Sequence, residues 1–307
     1  IVFALAREND AAGCRTVHAR VSAVTRLPDG GFAVECSGAV RKFDRVVIAT
    51  GGMSYPRTGS TGDGYRFARE LGHTVTPLRP SLVPIESSHP LCREAMGLTL
   101  KNVTLDVYEQ GRKKPVYSEL GELLFTHFGL SGPLALSASA AMRHAGEVLY
   151  EAVIDLKPAL DEKKLDRRIV SDFEKYSNRD FANALGGLLP QKLIAPFVAL
   201  TGISPTKKVN SLTRAERASV VAHMKGMRIP LSGLRPIEEA VVTSGGVSIR
   251  EIDPHTMESK LVPGLFFAGE IIDVDGYTGG YNRQIAWSTG GAAGIAGADA
   301  GNNISGS

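Results

Sequence analysis

The chain predicts an α/β fold in which a parallel sheet is interrupted by a large insertion. Two continuously apolar runs carry this reading, Val46-Val47-Ile48-Ala49 and Leu265-Phe266-Phe267-Ala268. Each ends in a glycine turn: Thr50-Gly51-Gly52 after the first, Gly269-Glu270 after the second. An uninterrupted apolar strand suits a sheet covered on both faces, and the turn at its C-terminal end faces the crevice where such sheets bind ligands. The third observation is the tail, where Gly279-Gly280 leads into small residues up to about Ala298. A strand, a glycine turn and a helix in that order aim a helix N-terminus at an anion or an electron-rich ring.

The elements follow in order. Val17, Ala19, Val21 and Ala23 alternate with polar residues, as do Phe32, Val34 and Cys36, and Pro28-Asp29-Gly30-Gly31 between them is turn chemistry. A hairpin or small meander is expected. Thr61-Gly62-Asp63-Gly64 opens a helix with Phe67 and Leu71 on one face and Gly72 at C′. Pro77, Pro80 and Pro84 then mark a boundary. From 85 to 157 the pattern is β: Val103, Leu105 and Val107 alternate, and 148–156 is a further strand. Within it, Gly129-Leu130-Ser131-Gly132-Pro133 opens a helix of small residues with Pro133 near N1. From 160 to 226 the pattern is helical, with Leu165, Ile169, Phe173 and Tyr176 on one face and a capping box from Thr213 to Glu216. The chain is extended again over 229–249, through Ser244-Gly245-Gly246-Val247.

Composition bounds the function. A chain of 307 residues, 43% hydrophobic, supports more than one core. A formal net charge of +3 is too small to imply nucleic acid. No apolar run reaches transmembrane length, so no membrane partner is expected. Cys14, Cys36 and Cys92 are scattered and odd in number, which fits a reducing, cytoplasmic setting and yields no metal site. The start, Ile1-Val2-Phe3-Ala4-Leu5-Ala6, lacks the basic region of a signal peptide. The 34 glycines cluster without a Gly-X-Y period, which points to close backbone approaches to a ligand.

The candidate site is assembled from these glycines and their neighbours. Gly279 and Gly280 bare the amides of Tyr281 and Asn282 at a helix end carrying about half a positive charge. Glu270 and Asp273 accept hydrogen bonds from sugar-type hydroxyls, while Asn282 and Gln284 offer amides to a ring edge. Gly245 and Gly246 bring bare backbone against a ring face, and Thr50, Gly51 and Gly52 form the second turn. His127, beside the loop at Gly129, is the one catalytic candidate. No Ser-His-Asp set, H-E-x-x-H or Walker A motif is present.

The tail resembles the closing FAD-binding segment of two-dinucleotide-binding-domain flavoproteins. Several blocks together resemble the bacterial HI0933-like flavoproteins, also described as BaiN-like or aminoacetone-oxidase-like NAD(P)/FAD-dependent oxidoreductases. These blocks are 46–52, Tyr55-Pro56, 59–64, 121–133, 242–247 and 256–282. The resemblance implies a Rossmann-like FAD-binding domain (1–76 and 246–307). It is interrupted by a β-barrel-like domain (77–158 and 227–245) that carries a helical subdomain (159–226). It implies that Thr50, Gly51 and Gly52 lie near the adenosine diphosphate. Gly269, Glu270 and Asp273 would meet the ribityl or pyrophosphate part, and Gly280, Tyr281 and Asn282 the flavin ring. The expected activity is hydride transfer through flavin N5 with a small organic substrate, NAD(P)H being a possible reductant. The family's opening strand–G-x-G-x-x-G–helix is absent, so a fragment is expected, or a chain whose dinucleotide segment lies outside this sequence. Two other functions stay open: a truncated, non-catalytic flavoprotein fragment, and an FAD-dependent RNA-modification factor.

Overall fold

The structure is a computed structural model and describes residues 2–299. Residues 1 and 300–307 of the expected first domain lie outside the described residues. The chain opens with α1 (Val2–Ala11), then β1 (Val21–Arg26), β2 (Phe32–Cys36) and β3 (Ala39–Phe43), an antiparallel meander in that order. The expected hairpin starts later than its alternation suggested, since Val17 and Ala19 precede β1 and are exposed. The third strand was not anticipated: all five of its residues are exposed, so no inward face writes a period of two. After β4 (Val46–Ile48) comes α2 (Asp63–Glu70), with Gly72 at φ 90° beyond its Leu71 C-cap.

A second body follows. It comprises β5 (Arg79–Ser81), β6 (Ile85–Glu86), α3 (Pro90–Glu94), β7 (Thr99–Glu109), β8 (Tyr117–Thr126), β9 (Gly129–Ser131), α4 (Gly132–Ala141) and β10 (Tyr150–Asp155). The helical stretch is α5 (Glu162–Lys175), α6 (Phe181–Ala184), α7 (Gln191–Thr201) and α8 (Arg214–Lys225). The chain returns through β11 (Met227–Leu231), β12 (Gly233–Leu234), β13 (Val242–Ser244), β14 (Leu265–Phe267) and α9 (Tyr281–Asp299). One seven-stranded sheet runs β11-β10-β7-β8-β9-β6-β12, every neighbour antiparallel. In β10 the residues alternate between buried and half-buried, as one covered face requires.

The helical stretch is fastened to this sheet by its apolar stripe. Leu165, Ile169 and Phe173 are buried as the spacing required, whereas Tyr176 is the exposed C-cap of α5. The Thr213–Glu216 capping box closes in both directions: the Thr213 hydroxyl accepts the Glu216 amide, and Glu216 Oε2 accepts the Thr213 amide. Two cores result. The larger joins the seven-stranded sheet to α4–α8 around residues such as Leu105, Phe125, Ile169 and Phe197. The smaller, around Phe32, Tyr65 and Phe266, lies beneath β4 and β14. Those two strands are parallel, Val46–Ile48 beside Leu265–Phe267, and more than two hundred residues separate them in the chain.

Candidate functional site

Because β4 and β14 run parallel, their glycine turns leave the sheet at the same end. Gly52 is buried between them, and a Cβ there would lie 2.4 Å from Thr243 Oγ1 and 2.5 Å from Glu270 Oε1. Thr243 Oγ1 accepts the amides of Met53 and Ser54 at 2.8 and 3.2 Å. Glu270 Oε1 accepts the Thr243 amide at 2.6 Å and the Ser54 hydroxyl at 3.0 Å. Three segments distant in sequence are thus stitched at one point. Thr50 sits against Gly64, whose added Cβ would fall 2.1 Å from Thr50 Oγ1. Gly51 has φ 73° beside Ser60, and the Gly269 amide donates to Thr289 Oγ1 on α9 at 2.9 Å.

Gly245 and Gly246 follow β13 with φ 87° and 146°. Added Cβ atoms would lie 2.3 Å from the Pro77 carbonyl and 2.4 Å from the Ile271 carbonyl. The approach these two glycines permit is therefore to the protein's own backbone. Asp273 is tied in through its amide, which donates to the Val247 carbonyl at 2.9 Å. His73, buried behind β14, presents Nε2 at 2.7 Å from Ser259 Oγ and packs edge-on to Phe267; burial pushes its imidazole below the ordinary range.

The last group stands apart. Gly279 and Gly280, with φ 103° and 101°, open α9, and nothing lies within 4 Å of a Cβ built at Gly280. Gly279, Gly280 and Tyr281 are exposed. The Asn282 side chain closes the loop upon itself, accepting the Gly276 amide and donating to the Gly276 carbonyl, both at 2.8 Å. Gln284 donates to Ser288 Oγ at 3.0 Å. His127 is exposed on the turn between β8 and β9, edge-on to Phe128, away from these residues in the fold.

Two clefts lie nearby, one reaching Gly245 and Asp273 and the other Gly276 and Tyr277; residues 50–52, 269–270 and 279–282 line neither. One of about 670 Å³ is lined by Arg79, Ser81, Arg143, Ser244, Gly245 and Asp273 among others. The second, about 580 Å³, is lined by Glu109, Arg112, His144, Gly276 and Tyr277 among others. They share Ala140, Arg143, Ser244 and Asp275. Asp275 accepts the Ser81 hydroxyl at 2.9 Å and the Ser244 hydroxyl at 3.1 Å, bridging β5 and β13. Sequence reasoning missed Asp275, Arg143, Glu109 and His144. They lie at element ends with no local motif, and only the tertiary fold brings them to one cleft. Among the described residues no cluster of His, Cys, Asp and Glu has the makings of a metal site.

A parallel strand pair with glycine turns at one end, followed by a glycine-opened helix, makes this an α/β protein. The chain belongs to the HI0933-like family, whose Rossmann domain matches residues 1–296. Curated relatives include a ribosomal RNA dihydrouridine synthase of Escherichia coli (strain K12), 33% identical over 84% of this chain and 62% of the relative. A 3-dehydro-bile acid delta(4,6)-reductase of Clostridium scindens (strain ATCC 35704) is 31% identical over 91% of this chain and 68% of the relative. A ribosomal RNA dihydrouridine synthase of Haemophilus influenzae (strain ATCC 51907) is 31% identical over 94% and 70%. The chain thus spans about two thirds of the length of these relatives. Among the described residues no helix is long and apolar enough to cross a membrane.

Proposed function

We propose that this chain is the flavin-bearing part of an FAD-dependent reductase that saturates a carbon–carbon double bond conjugated to a carbonyl, in a small organic substrate. The observation that carries the reading is the bare corner at Gly279-Gly280. Its main chain is open on the outside, it heads a helix of 19 residues, and its loop borders a cleft through Gly276 and Tyr277. A side chain would fill that space, and the helix N-terminus favours the negative charge a reduced flavin ring holds. The relatives' names support the chemistry, since forming dihydrouridine and acting as a delta(4,6)-reductase both remove a ring double bond.

In this reading a bound flavin supplies hydride transfer at its N5. The chain's residues bind and orient. Gly279, Gly280 and the amides of Tyr281 and Asn282 face the ring, with Asp273 beside it, while Gly245 and Gly246 let the β13 turn close on Pro77 and Ile271. Thr50, Gly51, Gly52 and Gly269 take the adenosine-diphosphate and ribityl side. Glu270 has Oε1 committed to Thr243 and Ser54, which leaves Oε2 for a hydroxyl. NAD(P)H is the proposed reductant.

A matched pair of variants tests the site. Gly280 and Gly111 both have positive φ, 101° and 84°, and open space where a Cβ would go. Valine at either position therefore carries a similar backbone strain. Gly280→Val is expected to lower FAD occupancy, read from the yellow absorbance of protein equilibrated with FAD, and Gly111→Val to leave it. Equal occupancy in both refutes the placement. Colourless protein that ignores FAD supports a non-catalytic fragment instead. One observation favours an RNA substrate as the second reading: over residues 159–226 Lys and Arg number twelve against seven Asp and Glu. Salt-sensitive RNA binding is its test.

A further inference from the structure

The second cleft holds a group that the flavin reading does not use. Glu109, at the end of β7, accepts His144 Nδ1 at 3.3 Å, the Tyr150 hydroxyl at 3.2 Å and Arg112 Nε at 3.1 Å. Tyr150 is committed twice, because its oxygen also accepts the His144 amide at 3.1 Å. Ring and backbone of His144 are therefore both pinned. Partial burial pushes the Glu109 carboxyl up, but the bonds from His144 and Tyr150 and the Arg112 charge outweigh it, and it stays below the ordinary carboxylate range. A carboxylate only accepts, so Nδ1 carries the proton and Nε2 becomes the exchanging nitrogen. Among the described residues no protein atom hydrogen-bonds Nε2. His144 is half-buried and lines the cleft together with Gly276 and Tyr277, which begin the loop leading to the Gly279-Gly280 corner.

We propose that this cleft is the substrate site and that His144 is its proton donor, with Glu109 as the positioning residue. The proposal rests on the reductase reading above. In the reduction of a conjugated double bond, the β-carbon takes a hydride from the reductant, a reduced flavin in that reading. The α-carbon takes a proton from the imidazolium Nε2–H. The π bond breaks and two C–H bonds form; the substrate gains two electrons and the reductant loses two. His144 is left neutral with Nδ1–H still on Glu109, and solvent in the open cleft returns the proton. The ionisable groups that line the cleft with His144 are Glu109, Arg112, Arg143, Asp275 and Tyr277; Tyr150 bonds both Glu109 and the His144 amide, and the Glu147 amide bonds the His144 carbonyl.

The test uses 2-cyclohexen-1-one as probe and two readouts. In histidine-labelled protein, the His144 ring signal, identified by its loss in His144→Gln, is expected to shift saturably as the probe is added. In FAD-loaded protein, His144→Gln is expected to slow oxidation of the reduced flavin by the probe by about 10²-fold or more, the range of general acid catalysis. Its FAD affinity and melting temperature should hold. Glu109→Gln is expected to lower kcat and leave KM unchanged, and Glu109→Asp, which keeps a carboxylate toward Nδ1, to restore part of the rate. A merely structural role would lower the melting temperature and raise KM as kcat falls, with no rescue by Glu109→Asp. A saturable shift in protein that takes up no FAD supports the substrate site and overturns the flavin reading alone. A ring signal indifferent to the probe overturns the site. Wild-type rates in FAD-loaded His144→Gln overturn the donor.

Discussion

Gly52→Ala isolates space from backbone conformation. Gly52 is not in the left-handed region, so alanine is allowed there by φ. The new methyl would meet Thr243 Oγ1 at 2.4 Å, Glu270 Oε1 at 2.5 Å and Thr243 Cβ at 2.7 Å. Ordinary contact asks for about 3.5 Å, so these atoms must retreat by roughly 1 Å. That retreat stretches the bonds from Met53, Ser54 and Thr243 beyond useful length. Ser54 and Thr243 are buried, and water does not replace the lost partners. With about 1–3 kcal/mol for each buried group left unmet, losing two gives a cost on the order of 3 kcal/mol. The midpoint of urea unfolding, followed by circular dichroism, measures it. Gly291→Ala in α9 is the control. Its added Cβ meets nothing within 4 Å, and alanine over glycine in a helix interior gains up to about 1 kcal/mol. A Gly52→Ala protein destabilised by less than about 1 kcal/mol would refute the argument that this turn is closed by its own side chains.

Two further outcomes are expected. Thr213→Ala removes one half of the capping box on α8 and should cost about 1 kcal/mol, read as faster amide exchange in the first turn of that helix. His73 titrates below its unfolded value of 6.5, so the unfolded chain binds more protons in that window and stability falls as pH drops below about 6.5. His73→Gln should flatten unfolding free energy between pH 7 and pH 5, and an unchanged slope would assign the dependence elsewhere.

The parts of the fold legible in sequence are those whose signal is local. The stripe Leu165, Ile169, Phe173, the Thr213 cap and the apolar run of β14 all state their own environment within a few residues, whereas the equally apolar run of β4 does not: Val47 at its centre is exposed, so only one face of that strand is covered. Strand β3 did not, because an all-exposed strand carries no burial pattern. Tyr176 continues the α5 period in sequence, but the helix ends at Lys175 and its ring turns outward. At the site the glycines were visible as glycines, but what each one faces was not. Gly52, Gly245 and Gly246 meet Glu270, Pro77 and Ile271, residues brought there only by the closed fold. Glu109 and His144 are 35 positions apart on a strand end and a post-helical turn, with no spacing to betray them.

The pairing of β4 with β14 has a temporal consequence. A ribosome releases Val46–Ile48 long before Leu265–Phe267 exists, and two ends so far apart along a flexible coil meet slowly. The intervening stretch has its own apolar interior, so it can collapse first and draw the two ends together. Until then the bare rim of β4 lacks its neighbour and is open to strangers. A nascent chain arrested before residue 265 therefore carries β4 without the strand it pairs with.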